Sequence, residues 1–229
     1  MTKVILTNDD GIDGAGLWAL RDTAVNLGYD WAIVAPLTEQ SGCGHQTTTT
    51  KPMTIVQKAD NVYAIEGTPA DCARVAITYL FPKVDLLLSG INHGGNLGVD
   101  VYTSGTVAAA REACFHGVPA VALSHYKLSD WSIDWQWASR TAARVLKELM
   151  PQLHQSAGAF WNVNLPHLFG TDHPPIINCP LSIDPLPCIY ALQDQRLYYQ
   201  GQYEKRPRSA GTDVAECFGG KVSVTKIFL

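Results

Sequence analysis

The sequence is short of charge, and the charge it has is not basic. Only 17% of the 229 residues are Asp, Glu, Lys or Arg, and the net charge is -4. A nucleic-acid binder carries a basic footprint, and no polybasic cluster supplies one here. Long apolar runs are also missing. The first, Val4-Ile5-Leu6, gives way at once to Thr7 and Asn8, so the opening reads as a strand and not as a signal peptide, and no later run is long enough to span a bilayer. There is no Cys-x-x-Cys pair. The cysteines stand far apart at 43, 72, 114, 179, 188 and 217, a spacing that suits small buried thiols in a reducing compartment. The expected location is therefore the cytoplasm. Internal repeats and low-complexity segments are absent too.

What is present is enough apolar material for a sizeable core: 46% of the chain, which excludes a disordered protein. Short apolar runs alternate with helical periodicity through the first two thirds. Val4 to Thr7, Trp31 to Ala35, Val62 to Ile65, Val84 to Leu88 and Ala120 to Leu123 read as strands. Between them, Leu17, Leu20, Ala24 and Leu27 mark one helix stopped by Gly28. Thr68-Pro69 with Asp71 forms the start of a second, carrying Val75, Ala76, Tyr79 and Leu80. A third runs from about Thr106 to Phe115, and a fourth carries Trp135, Ala138, Ala142, Val145 and Leu149, with Pro151 expected after its end. This alternation predicts a Rossmann-like α/β fold, an open, mostly parallel sheet with helices on both faces. The character changes near residue 155. Residues 1–155 are expected to form the α/β core, and 156–229 to supply the last core strand or strands and a smaller, extended β portion for oligomerisation. Phe160 to Leu165, Leu197 to Tyr203 and Val222 to Phe228 are its expected strands, around a proline-rich tract from Pro166 to Pro187.

In open α/β sheets ligands bind beyond the carboxyl ends of the strands. Three such ends are rich in oxygen donors and glycine: Asn8-Asp9-Asp10-Gly11, Gln40-Ser41-Gly42-Cys43-Gly44, and Ser89-Gly90-Ile91-Asn92-His93-Gly94-Gly95-Asn96. Adjacent carboxylates repel and raise each other's pKa. A divalent cation removes that cost, and hard cations take carboxylate and neutral oxygens of the kind Asp9, Asp10, Ser41 and Asn92 offer. The bland alternative is a solvated Asp-Asp-Gly turn. Ser104-Gly105-Thr106-Val107 opens an alanine-rich helix, where free N–H groups and the helix dipole make an anion site. An ordinary Ser/Thr cap would look the same when taken alone. His45, His93 and Glu66 lie in or beside these loops as proton donors or bystanders. Arg111 and the Trp131, Trp135, Trp137 group suit structural roles better.

With these motifs in order, the chain resembles the SurE family of stationary-phase survival proteins, which have 5'/3'-nucleotidase and acid phosphatase activity. The resemblance rests on Leu6-Thr7-Asn8-Asp9-Asp10-Gly11, Ala35-Pro36 with Gln40-Ser41-Gly42, Gly67-Thr68-Pro69-Ala70-Asp71-Cys72, Ser89-Gly90-Ile91-Asn92, Asn96-Leu97-Gly98 and Ser104-Gly105-Thr106-Val107. Asn162-Val163-Asn164-Leu165-Pro166 and Gly211-Thr212-Asp213 extend it more weakly. It implies a hydrolase acting on nucleoside 5'- and 3'-monophosphates. It also implies one divalent ion per subunit, magnesium or manganese, held at Asp9, Asp10, Ser41 and Asn92. Asn96, Ser104, Gly105 and Thr106 are expected around the phosphate, and Asp9 and Asp10 to do the chemistry. Assembly as a homodimer or homotetramer is implied, with no nucleic-acid duplex and no membrane as partner. The chain departs from many relatives at Gly14-Ala15, where they carry Ala-Pro, and at Thr103, which separates Tyr102 from Ser104. A receiver domain of the signalling type would need a phospho-acceptor aspartate after a later strand, where Ser89-Gly90-Ile91-Asn92 stands instead. A nucleotide-sugar transferase would need a sugar-nucleotide pocket of which there is no specific sign.

Overall fold

The computed structural model describes residues 1–128, 131–153, 158–168 and 173–229. The boundary expected near residue 155 lies outside these described residues. The first strand, β1 (Lys3–Thr7), leads into helix α1 (Ala15–Asn26), then β2 (Asp30–Pro36), β3 (Ile55–Ala59) and β4 (Val62–Ile65). Helix α2 (Pro69–Val75) continues as a π-helical turn over Ala76–Leu80, and is followed by β5 (Leu86–His93). A 3₁₀ turn over Gly98–Tyr102 precedes α3 (Gly105–Phe115), β6 (Ala120–His125), α4 (Trp135–Leu153) and β7 (Ala159–Leu165). Beyond these come β8 (Ile176–Asn178), β9 (Tyr190–Gln193), β10 (Arg196–Tyr199), α5 (Asp213–Phe218) and β11 (Val222–Phe228).

One nine-stranded sheet runs in the order β3-β4-β2-β1-β5-β6-β7-β11-β8. The strands from β4 to β7 in that order are mutually parallel, while β3 pairs antiparallel with β4, β11 pairs antiparallel with β7, and β8 runs parallel to β11. Apolar runs such as Val4-Ile5-Leu6 and Leu86-Leu87-Leu88 are buried because both faces are covered. Leu17, Leu20 and Ala24 of α1 share one core with Ala142, Val145 and Leu149 of α4. Cys72 and Ala73 of α2 share the other with Val107, Ala110 and Ala113 of α3. The late strands join this same sheet, and only β9 and β10 form a separate pair.

Sheet order and helix placement together fix the hand of each crossover. The β1-α1-β2 and β6-α4-β7 units step in opposite directions along the sheet, yet both helices cover the same face. They therefore have opposite hands. The β5-α3-β6 unit, on the other face, agrees with the first. The β6-α4-β7 connection is thus left-handed, against the strong rule for parallel strands.

Two elements differ from the sequence expectation. The glycine-rich stretch after Leu88 is the end of β5, interrupted between Ser89 and Asn92 by a register shift. Gly90 allows it: φ is +139°, and a Cβ there would lie 2.1 Å from Leu123 O. Pro151 lies inside the last turn of α4, because that turn still buries Leu149 and Leu153 against the core.

Candidate active site

From β1 the chain moves to β2 and β4 on one side, then returns to β5, β6 and β7 on the other. The reversal leaves a crevice between the carboxyl ends of β1 and β5, the place where such sheets bind ligands. Thr7 stands opposite Ser89 there, so Asn8-Asp9-Asp10 faces Gly90-Ile91-Asn92. A polar rung crosses the sheet at this edge: Asn92, Ser124, Asn164 and Ser223 are successive partners on β5, β6, β7 and β11.

Asp9 is buried, and its backbone carbonyl accepts from Gln40 N at 2.7 Å. The Thr106 hydroxyl donates to its Oδ1 in a short hydrogen bond. Burial first, and then the charge of Asp10, raise the Asp9 pKa to about 6 against the lowering effect of Thr106. Asp10 is also raised, by burial and by Glu39, while its Oδ2 accepts from His93 N at 3.3 Å. Neither carboxylate has a lysine or arginine partner among the described residues. Asn8 donates to Gly11 O at 2.8 Å, and its buried Oδ1 has no hydrogen-bond partner among them.

Helix α3 begins where the Ser-Gly-Thr motif is expected to open it. Ser104 caps α3 by accepting from Val107 N at 3.1 Å, which leaves its own hydrogen free to donate. Gly105 lies directly against Asp9: a Cβ there would sit 2.9 Å from Asp9 Cβ, 3.0 Å from its Oδ2 and 3.1 Å from Cys43 Sγ. The cap is thus observed, and the same helix terminus lies against the Asp9 carboxylate of the crevice.

Ser41 and Asn96 stand further off. The Ser41 hydroxyl donates to Glu39 Oε1 at 2.7 Å, so it relates to the aspartates through Glu39. Asn92 turns its amide nitrogen to Gly94 O at 2.9 Å. Asn96 is embedded in a buried amide cluster: its N–H donates to Asn164 Oδ1 and its side chain to Ser124 Oγ, both at 2.8 Å. Asn162 and Asn164 donate in turn to its carbonyl. The oxygen set at the crevice, namely two carboxylates with raised pKa, an orphaned amide oxygen and nearby hydroxyls, fits a hard divalent cation.

His45 points away from this chemistry, to Glu112 at 2.8 Å and Arg111 at 3.4 Å. Arg111 also donates to Val101 O at 2.8 Å, a structural role. Trp135 and Trp137 pack on the core beside His125, whose burial lowers its pKa to about 4. Glu39 and Ser124 escaped the sequence reading, since they reach the site only through loop packing and strand register, and Cys43 entered it only as part of the glycine-rich segment. The amide pair of β7 did carry a signal: two asparagines two residues apart share a face of a buried strand.

A family profile described as Survival protein SurE matches residues 4–180. A Nostoc sp. protein named "Putative 5'-nucleotidase" is 50% identical over 227 residues, 98% of each chain. A Helicobacter hepaticus protein named "5'-nucleotidase SurE" is 38% identical over 179 residues, covering 73% of this chain and 66% of its own. Among solved structures, the SurE protein from Aquifex aeolicus matches with a TM-score of 0.87 and 29% identity, over 99% of this chain and 93% of that one.

Proposed function

The chain belongs to the SurE family, and from that premise we propose that it is a metal-dependent phosphomonoesterase releasing phosphate from nucleoside 5'-monophosphates, and from 3'-monophosphates as a second substrate class. The observation that carries the reading is Asp9. It is a buried carboxylate beside a second one, it has no basic partner among the described residues, and it touches the helix terminus built for an anion. Repulsion of that kind is relieved when a divalent cation enters.

Asp9, Asp10, Asn92 and Ser41 would hold one magnesium or manganese ion through oxygen. When bound, it supplies positive charge to the phosphate and acidity to a water molecule. The remaining work belongs to the chain. The first N–H groups of α3 and the Ser104 hydroxyl receive the phosphate oxygens as their charge redistributes. Thr106 fixes the rotamer of Asp9, and Asn96 would meet the phosphate from the buried amide cluster. Asp9 or Asp10 would orient the attacking water or take its proton. Direct attack by an aspartate is the alternative route, recognised by trapping an acyl phosphate with hydroxylamine. The β9–β10 pair is the proposed assembly arm of a homodimer or homotetramer.

The test is phosphate release from a panel of nucleoside monophosphates with manganese, with magnesium and with EDTA, beside the Asp9→Asn variant. Turnover that needs metal and vanishes in the variant is expected. Folded protein without turnover under every metal condition would end the enzyme reading.

A further inference from the structure

We propose that Glu112 and His45 are positioning residues that hold the Ser41-bearing loop over Asp9, and that this tether sets the affinity of the metal site. The inference rests on the metal-dependent reading above and assigns work to a cluster outside it. Glu112 lies on α3, two turns beyond Gly105 and Thr106, and its side chain is only 2% exposed. Its Oε2 accepts from His45 Nε2 at 2.8 Å. Its Oε1 accepts from Arg74 of α2 at 2.8 Å and from His116 at 3.2 Å. Burial alone would raise the Glu112 pKa, but these donors outweigh it and bring it to about 2. Glu112 is therefore a charged anchor at any working pH.

What hangs from the anchor is the segment from Ser41 to Gln46. Its near end is fixed by Gln40 N on Asp9 O and by Cys43 N on Gln40 O. Its far end is fixed by Thr68 Oγ1 on Gln46 O at 2.6 Å and by Thr48 on Asp71 at 2.7 and 2.8 Å. Between those points Gly42 and Gly44 have φ of +75° and +61°, and nothing lies within 4 Å of a Cβ placed on Gly42. Backbone of that kind has little to hold it in place. The His45 ring holds it instead, stacked on Phe115 with centroids 5.4 Å apart and bonded to Glu112 through Nε2. Arg111 donates to the other ring nitrogen at 3.4 Å, which keeps the hydrogen on Nε2 for Glu112.

One helix thus presents Gly105 and Thr106 to Asp9 at its first turn and fastens the facing loop near its end. The tether restrains the far side of the loop, while the Gln40 N–Asp9 O bond fixes the residue next to Ser41. Groups that orient metal ligands from behind change affinity or activity by about 10–100-fold when removed.

The experiment compares full-length wild type, His45→Ala, His45→Gln and Glu112→Gln by manganese titration under electron paramagnetic resonance. It adds kcat and KM for a nucleoside monophosphate, and hydrogen exchange of the loop peptide. His45 is less buried than Glu112, so His45→Ala disturbs the interior less and guards against simple unfolding of the Glu112 variant. Manganese affinity and kcat/KM are expected to fall by roughly 10–100-fold in His45→Ala, with faster exchange confined to the loop. His45→Gln should recover most of each, because its amide N–H stands where the ring Nε2–H stood. Wild-type affinity and wild-type loop exchange in His45→Ala would overturn the proposal. Should wild type itself bind no manganese, the metal reading fails, and the exchange data alone decide the tether. Loop protection lost with Ala and regained with Gln supports it, and equal protection in all variants refutes it.

Discussion

Asp9 is held where its charge is unwelcome, and the sign of that discomfort is testable. Its pKa rises from an ordinary 3.8 to about 6, first by burial and then by Asp10. A carboxylate shifted upward binds its proton more tightly in the folded state. The associated stability is full below about pH 4 and is lost as pH rises towards about 6. At neutral pH the metal-free protein is therefore strained by about 3 kcal/mol at this residue. Asp9→Asn should melt higher than wild type in EDTA at about pH 7, should match it at about pH 4, and should have no phosphatase activity. A variant that melts lower at neutral pH would show that a partner stabilises the Asp9 carboxylate by more than burial and Asp10 destabilise it. At this scale the sequence was a good guide to the aspartates, because paired carboxylates at a strand end need an explanation. It was a poor guide to Glu39, which matters through contacts that a loop makes in space. Asn96 entered through the family resemblance, and its amide cluster depends on a register that no single residue reveals.

Elements were legible wherever a continuous apolar run or a stop residue marked them. The strands Val4 to Thr7 and Ala120 to Leu123, and the helix ended by Gly28, fall close to where periodicity put them. Two features were hidden for physical reasons. The end of β5 uses glycine to bring backbones together, which on paper resembles a loop. The face chosen by α4 depends on packing with α1, which leaves a left-handed crossover that local pattern does not encode. The α1–β5 contact gives a prediction at this scale. A Cβ on Gly16 would lie 1.8 Å from Ile91 O, so α1 or the end of β5 must move, and Asn92 moves with it. Gly16→Ala should lose about 1–3 kcal/mol by overpacking and should also weaken manganese binding. Gly28→Ala is the control: its φ is +69° with nothing within 4 Å, so it should lose about 1 kcal/mol to backbone strain and leave metal affinity unchanged. Calorimetric melts and a manganese titration on both variants separate the two cases. Equal metal affinity in both would detach α1 packing from the site.

At the scale of the molecule, the β9–β10 hairpin carries an uncovered apolar face. Leu192 and Leu197 are opposite each other in the β9–β10 hairpin, and so are Tyr190 and Tyr199. The four side chains share one face and are 72%, 67%, 55% and 60% exposed, respectively. A lone two-stranded hairpin is marginal in water, and an apolar face of this kind calls for cover. The proline-rich stretch before it was read from sequence as an oligomerisation extension, and β10 overlaps the segment Leu197 to Tyr203 expected to be extended, but β8 and β9 were not read, since such short strands show little periodicity. The hairpin also leads back to the site. Tyr203 donates to Asp100 at 2.9 Å, and Arg206 bonds Asp100 and Leu97 O, bracing the turn between Asn96 and Ser104. Wild type is expected to be a dimer or tetramer in light scattering. The double variant Leu192→Lys, Leu197→Lys should be a folded monomer, because exposing a leucine buried in the assembly costs roughly 2 kcal/mol and a twofold interface contains each one twice. Its kcat/KM should fall as well, since the brace begins four residues after β10 ends. A monomeric wild type, or a variant that assembles unchanged, would remove the hairpin from any role in assembly. A monomer with full activity would keep that role and show that the Tyr203–Arg206 brace holds the phosphate turn without help from a second subunit.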